Sequence, residues 1–166
     1  MSGFGGYKRQ YGTAFVIDDV AYICCGDNNG TLVDDLWKFD GSDWKQLRDI
    51  ANNNSDEDYD DDYAITRTGT VSFVIDGRGY IATGTRSGVT SDYWVYDPEE
   101  DLWYGDSDDD YTPMTNVHNV SSGGSSRAYA VSFSTGKRGF VLSGSSGTSY
   151  FDDVYELLPY EQEDVD

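Results

Sequence analysis

The sequence is poor in the residues that build most catalytic and metal centres. It has one histidine, two cysteines, two methionines and three prolines in 166 residues. The cysteines, Cys24 and Cys25, are adjacent. Neighbouring strand residues point to opposite faces, and a bond between them would be strained, so no disulfide framework is expected. Two neighbouring thiols and a lone histidine do not make a zinc site. They read as small strand residues, at least one of them buried. His118 falls in a polar stretch and reads as an exposed loop residue. Positive charge is scarce: 11 Lys and Arg stand against 31 Asp and Glu, a formal net charge of −20. That balance opposes binding to nucleic acid or to an anionic membrane surface, which carry the same sign. No apolar run approaches the roughly 18 residues of a membrane helix, so no membrane insertion is expected. The opening MSGFGGYKRQ has no apolar stretch of signal-peptide type. It fits either a cytosolic protein or a piece of something longer. Phosphate-binding glycine loops and an EF-hand calcium loop are also missing.

What is present is glycine (19), aromatic side chains (15%) and short apolar runs such as AFVI, VSFVI and AVSF. Such runs, punctuated by Gly, Asn, Asp and Ser, predict an all-β protein. Three stretches are near copies: FVIDDVAYICCG from Phe15, FVIDGRGYIATG from Phe73 and FSTGKRGFVLSG from Phe133. Arg9, Arg67 and Arg127 precede these phenylalanines by one fixed interval, and Gly26, Gly84 and Gly144 close the stretches. Small polar loops follow (DNNGTLV, TRSGVTS, SSGTSYF), then aspartate–aromatic segments (DDLWKFD, SDYWVYD, DDVYELL). Trp44 and Trp103 end the first two units. Arg9 to Arg67 is 58 residues and Arg67 to Arg127 is 60. A fixed long period signals repeat architecture.

Each unit reads as four strands. In the three units the first covers GTAFVID, GTVSFVID and YAVSFST, and the second AYICCG, GYIATG and GFVLSG. Tight turns join them at Asp18-Asp19, Asp76-Gly77 and Thr135-Gly136. The third is LWKFD, YWVYD and VYELL. The fourth is WKQL and LWYG, with only the poor strand former YEQED as counterpart in the last unit. Four-stranded antiparallel units repeated in series read as propeller blades.

The order arginine, apolar strand, glycine, Tyr-Asp, tryptophan resembles the kelch repeat. Tyr96-Asp97 to Trp103 fits its spacing, Phe39-Asp40 to Trp44 is a shortened version, and one glycine stands where that family usually carries a pair. The pattern looks most like kelch-like repeats of exported bacterial proteins, and it covers residues from about 5 to 158. The resemblance implies a kelch-type β-propeller of three four-stranded antiparallel blades, half of a six-bladed ring. Residues 5–50, 65–105 and 125–158 would be the blades. Residues 51–64 and 106–124 would be acidic inserts, and 159–166 an acidic tail. It also implies an extracytoplasmic setting, and it places Arg9, Arg67 and Arg127 near the mouth of a central channel. Those arginines then have two readings: bidentate contacts to a ligand carboxylate, or ties from one blade to the next. Copper-radical oxidases on related propellers need two histidines, which this chain lacks.

Propellers typically have about four to eight blades. Three blades would leave two apolar faces in water, so the expectation is either further blades or two copies closing one ring as a homodimer. The first insert places Asp56, Asp58, Asp60 and Asp62 close together, a candidate calcium site or a solvated loop. No other cofactor is expected. Carboxylates are too many and too scattered to single out an acid–base couple. The sequence therefore predicts a non-catalytic binding or scaffold module that meets a protein or glycan through loops on one face. Part of a carbohydrate-active propeller enzyme, or a self-associating half-ring, are the alternatives.

Overall fold

The computed structural model describes residues 3–51, 65–105 and 125–157. Every regular element among them is a strand, and none is a helix long and apolar enough to cross a membrane. The first repeat contains β1 (Thr13–Ile17), β2 (Val20–Cys24), the short β3 (Asp27–Asn28) and β4 (Thr31–Leu32), then β5 (Trp37–Phe39) and β6 (Trp44–Gln46). The second contains β7 (Val71–Ile75), β8 (Arg78–Thr85), β9 (Val89–Asp97) and β10 (Leu102–Gly105). The third contains β11 (Val131–Ser134), β12 (Gly139–Leu142), the short β13 (Ser145–Ser146) and β14 (Ser149–Tyr150), and β15 (Val154–Leu157). Antiparallel pairing makes sheets β1-β2-β5-β6, β7-β8-β9-β10 and β11-β12-β15. The third sheet has three strands among the described residues. The fourth strand expected there falls on residues 158–166, outside them.

Aromatic pairs set the register of each inner hairpin. Phe15 pairs with Tyr22, Phe73 with Tyr80 and Phe133 with Phe140. The rings stack at centroid distances of 5.2, 5.5 and 4.7 Å. This leaves Asp18-Asp19 and Asp76-Gly77 as two-residue turns with φ of 48°, 64°, 48° and 77°, the left-handed pair that suits strand twist. In the third hairpin the same aromatic register centres the turn on Gly136-Lys137, with the Thr135 N–H donating to the Arg138 carbonyl at 3.0 Å. The turn thus lies one residue beyond the expected Thr135-Gly136, because the pairing of Phe133 with Phe140 outweighs the local turn signal.

The sheets pack face to face. Phe15, Ile17, Tyr22, Leu36, Ile81, Trp94, Tyr96 and Trp103 share one buried core between the first and second sheets. Phe73, Ile75, Tyr80, Tyr93, Val95, Val141 and Leu157 share another between the second and third. The middle sheet is therefore covered on both sides, and β8 is buried from Gly79 to Gly84. Val74 packs against the first core, whereas its equivalent Val16 is 59% exposed. Two glycines let the sheets approach. A Cβ on Gly79 would lie 2.2 Å from the Phe15 ring, and one on Gly139 would lie 2.3 Å from that of Phe73. Hydroxyls finish the joint: Ser72 donates to the Ala14 carbonyl and Ser132 to the Ser72 carbonyl, both at 2.7 Å. Cys24 ends β2, and Cys25 lies past it with φ 60° rather than continuing the strand. Both thiols are buried and free.

Candidate functional site

Each repeat arginine lies in the same cradle. Arg67 donates to the carbonyls of Ile65 and Thr83, each at 3.0 Å, and through both terminal nitrogens to the Asp92 carboxylate at 2.9 and 2.7 Å. Arg127 does so to Ser125 (3.1 Å), Ser143 (2.9 Å) and Asp153 (2.6 and 3.0 Å). Arg9 reaches the Tyr7 carbonyl (3.3 Å), the Cys25 carbonyl (3.2 Å) and the Asp35 carboxylate. The acceptors sit 2 residues before each arginine and 16, then 25 or 26, residues after it. Backbone geometry aims the middle carbonyl: Cys25, Thr83 and Ser143 all have φ 60°. That conformation is costly for a β-branched residue such as Thr83. The Arg67 and Arg127 side chains are 0% exposed and that of Arg9 is 8% exposed.

The carboxylates are themselves positioned. Trp37 Nε1 donates to Asp35 at 2.7 Å and Trp94 Nε1 to Asp92 at 3.1 Å, each from two residues downstream. Burial pushes the Asp92 carboxyl up, but hydrogen bonds and charge from Arg67, with help from Thr90 and Trp94, outweigh it and hold it below the ordinary value. The Arg127 hydrogen bond likewise holds Asp153 down. The Arg127 guanidinium also lies over the Phe151 and Tyr155 rings, at 4.5 and 4.9 Å from their centroids. Between adjacent cysteines, the hydrogen bond to Cys25 and burial raise the Cys24 thiol.

The arginines also mark the line along which the repeats meet. The Gly26 N–H donates to the Arg67 carbonyl and the Gly84 N–H to the Arg127 carbonyl, both at 2.8 Å. Two residues past each arginine, the Gly69 N–H donates to the Tyr11 carbonyl and the Tyr129 N–H to the Gly69 carbonyl. The small polar loops fold into hairpins at this same end: β3–β4, the outer part of β8–β9 (Thr85 pairing with Val89) and β13–β14. The base of each is bridged to the residue after the arginine, as Gln10 with Asp27, Thr68 with Thr85 and Ala128 with Ser145.

Around these hairpins Tyr7, Tyr11, Tyr129 and Tyr150 are exposed by 57%, 55%, 57% and 86%. Tyr11 and Tyr129 meet edge to face at 5.5 Å. A cleft of about 250 Å³ lies between the first lead-in segment and its hairpin, lined by Lys8, Arg9, Gln10, Asp27, Asn28 and Asn29. A second, of about 280 Å³, opens on the other side of Asn28 beside Tyr7. Amides, hydroxyls and open aromatic faces equip such a surface for hydrogen bonding and stacking.

The structure thus brings Arg9, Arg67 and Arg127 to one end of the molecule, where among the described residues their guanidinium groups donate to carbonyls and a carboxylate of their own repeat. Asp56, Asp58, Asp60, Asp62 and His118 lie outside the described residues. Among the described residues no cluster of His, Cys, Asp and Glu has the arrangement of a metal site. Sequence reasoning passed over Asp35, Asp92 and Asp153 as partners of the arginines. Their signal was an aspartate two residues before an aromatic, 25 or 26 residues after each arginine.

No family model matches this sequence, and neither does any curated protein. Among solved structures, the structure of YjhT is similar with a TM-score of 0.55 at 20% identity, over 82% of this chain and 34% of that one. That likeness is one of fold alone. The chain spans about a third of the length of that protein.

Proposed function

We propose that this chain is a section of a kelch-like β-propeller acting as a non-catalytic binding or scaffold module, which meets a protein or a glycan through its hairpin end. In this reading the three sheets are blades, and the line of lead-in segments borders the channel mouth. The observation that carries it is that Tyr7, Tyr11, Tyr129 and Tyr150 are all exposed on the lead-in segments and hairpins of the repeats, with Tyr11 and Tyr129 in edge-to-face contact. Exposed tyrosines with low rotamer freedom are typical contact residues, and the Gln10, Asn28 and Asn29 amides beside them suit hydroxyl or peptide partners. The arginines serve this surface from beneath. Their cradles fix each hairpin, so the tyrosines are presented by a rigid support. Arg9 lines a cleft, where a ligand carboxylate could share its donors.

The test is binding to immobilised oligosaccharide and peptide panels, comparing the native chain with Tyr11→Ser/Tyr129→Ser. The reading predicts a binder on one panel and a loss of about tenfold or more in the variant, as for truncated contact residues. Binding that the double change leaves intact, or no binding on either panel, contradicts it.

A further inference from the structure

The middle sheet shows what each outward face of this fold requires. Its Val71, Phe73 and Tyr93 are 6%, 4% and 1% exposed because the third sheet covers them. The equivalent residues of the third sheet are Val131, Phe133 and Val154, aligned by the pairings of Val71 with Ala82 and Val131 with Leu142. They are 57%, 50% and 59% exposed. Phe133 stacks on Phe140 as Phe73 does on Tyr80, so the knob is formed and has no socket. Backbone groups stop at the same place. Gly26 and Gly84 each donate to the arginine carbonyl of the following repeat. The Gly144 N–H has no such acceptor among the described residues.

Both covered joints use one set of complements. The receiving sheet carries glycine one position before its inner aromatic (Gly79, Gly139), directly over the incoming ring. It carries serine one position before its own phenylalanine (Ser72, Ser132), donating to the carbonyl of the preceding strand. The first sheet of this chain has neither. Ala14 stands where Ser72 and Ser132 stand, and Ala21, paired with Val16, stands where Gly79 pairs with Val74 and Gly139 with Ser134. Ala21 thus carries the Cβ that would fall about 2.2 Å from an incoming ring at this position.

We infer that the outer face of the third sheet docks a further sheet of this same repeat type. That sheet supplies glycine at the socket, a hydroxyl on its inner strand and an arginine carbonyl for Gly144. The first sheet of a second copy of this chain is not that partner. The inference concerns the sheet face and stands whether or not the hairpin end binds a ligand.

Solution mass by light scattering tests this, on the native chain, Phe133→Ser, Ala14→Ser/Ala21→Gly and the triple combination. The native chain should hold at 18.5 kDa as concentration rises, with Phe133→Ser unchanged. Installing the missing socket should convert it to twice that mass or a larger multiple, and adding Phe133→Ser should restore 18.5 kDa. A native chain that already associates through Phe133 overturns the inference. So does a socket variant that keeps its native near-ultraviolet dichroism yet stays monomeric. Should that variant lose its native dichroism, the native chain and Phe133→Ser decide: equal monomer masses support the inference, and a mass that drops on Phe133→Ser overturns it.

Discussion

At the scale of single side chains, Arg67 and Arg138 make the same kind of carboxylate pair in opposite surroundings. Arg67 is 0% exposed and fully engaged with Ile65, Thr83 and Asp92. Arg138 is 53% exposed in its pair with Glu156. Removing a buried partner strands its neighbours, so Arg67→Ala should cost about 3 kcal/mol or more in urea unfolding. Arg138→Ala should cost less than about 1 kcal/mol. Arg67→Lys should recover little, because an ammonium group cannot reproduce the two-pronged contact to Asp92. The cradles also set an acid limit. Asp92 and Asp153 are held below the ordinary aspartate value of 3.8, and Asp40, in its turn with Ser42 and Asp43, falls to about 2. Groups depressed in the folded state stabilise it above their unfolded value and lose that contribution as pH falls through the folded one. Urea midpoints should therefore hold down to about pH 4 and fall below it, more gently in Asp153→Asn. The arginines themselves were legible in the sequence as a periodic mark. Their partners were not, because an aspartate 25 or 26 residues away is tied to an arginine only once β2 and the following hairpin have folded back.

At the scale of elements, the turns and their flanking strands show what a local pattern can carry. The Asp18-Asp19 and Asp76-Gly77 turns were readable because both dipeptides sit between apolar runs and tolerate positive φ. Their strain differs: Asp19 holds φ 64° without the freedom that Gly77 has at φ 77°. A left-handed non-glycine residue costs roughly 1–2 kcal/mol, partly offset for aspartate. Asp19→Gly should accordingly raise the thermal midpoint by an amount equivalent to a few tenths to about 1 kcal/mol, and Gly77→Asp should lower it comparably. An Asp19→Gly change that destabilises would show that its carboxylate, and not the turn geometry, matters there. The third turn was misplaced by one residue because local glycine preference points to Thr135-Gly136, whereas the long-range fit of Phe133 against Phe140 fixes the register. The polar loops also looked featureless in sequence. They are hairpins, since bridging to the residue after each arginine supplies the backbone partners that Ser and Asn runs do not announce.

At the scale of the whole molecule, three antiparallel sheets are stacked in chain order, with the middle one covered on both faces. The repeat period made the three units legible. The way they join was not, because Gly79 and Gly139 look like ordinary strand glycines until the preceding phenylalanine is seen above them. The claim on which the account depends is that Phe73 of the middle sheet is seated on Gly139 of the third. The direct measurement is a double-mutant cycle of Phe73→Leu and Gly139→Ala, read by urea unfolding. In the native background Gly139→Ala should cost about 1–3 kcal/mol through overpacking against the ring. With leucine at position 73 the added methyl has more room, so that cost should shrink and leave a coupling of about 1 kcal/mol or more between the two sites. Costs that simply add would mean the ring does not sit on that glycine, and would contradict the stacking of the sheets described here.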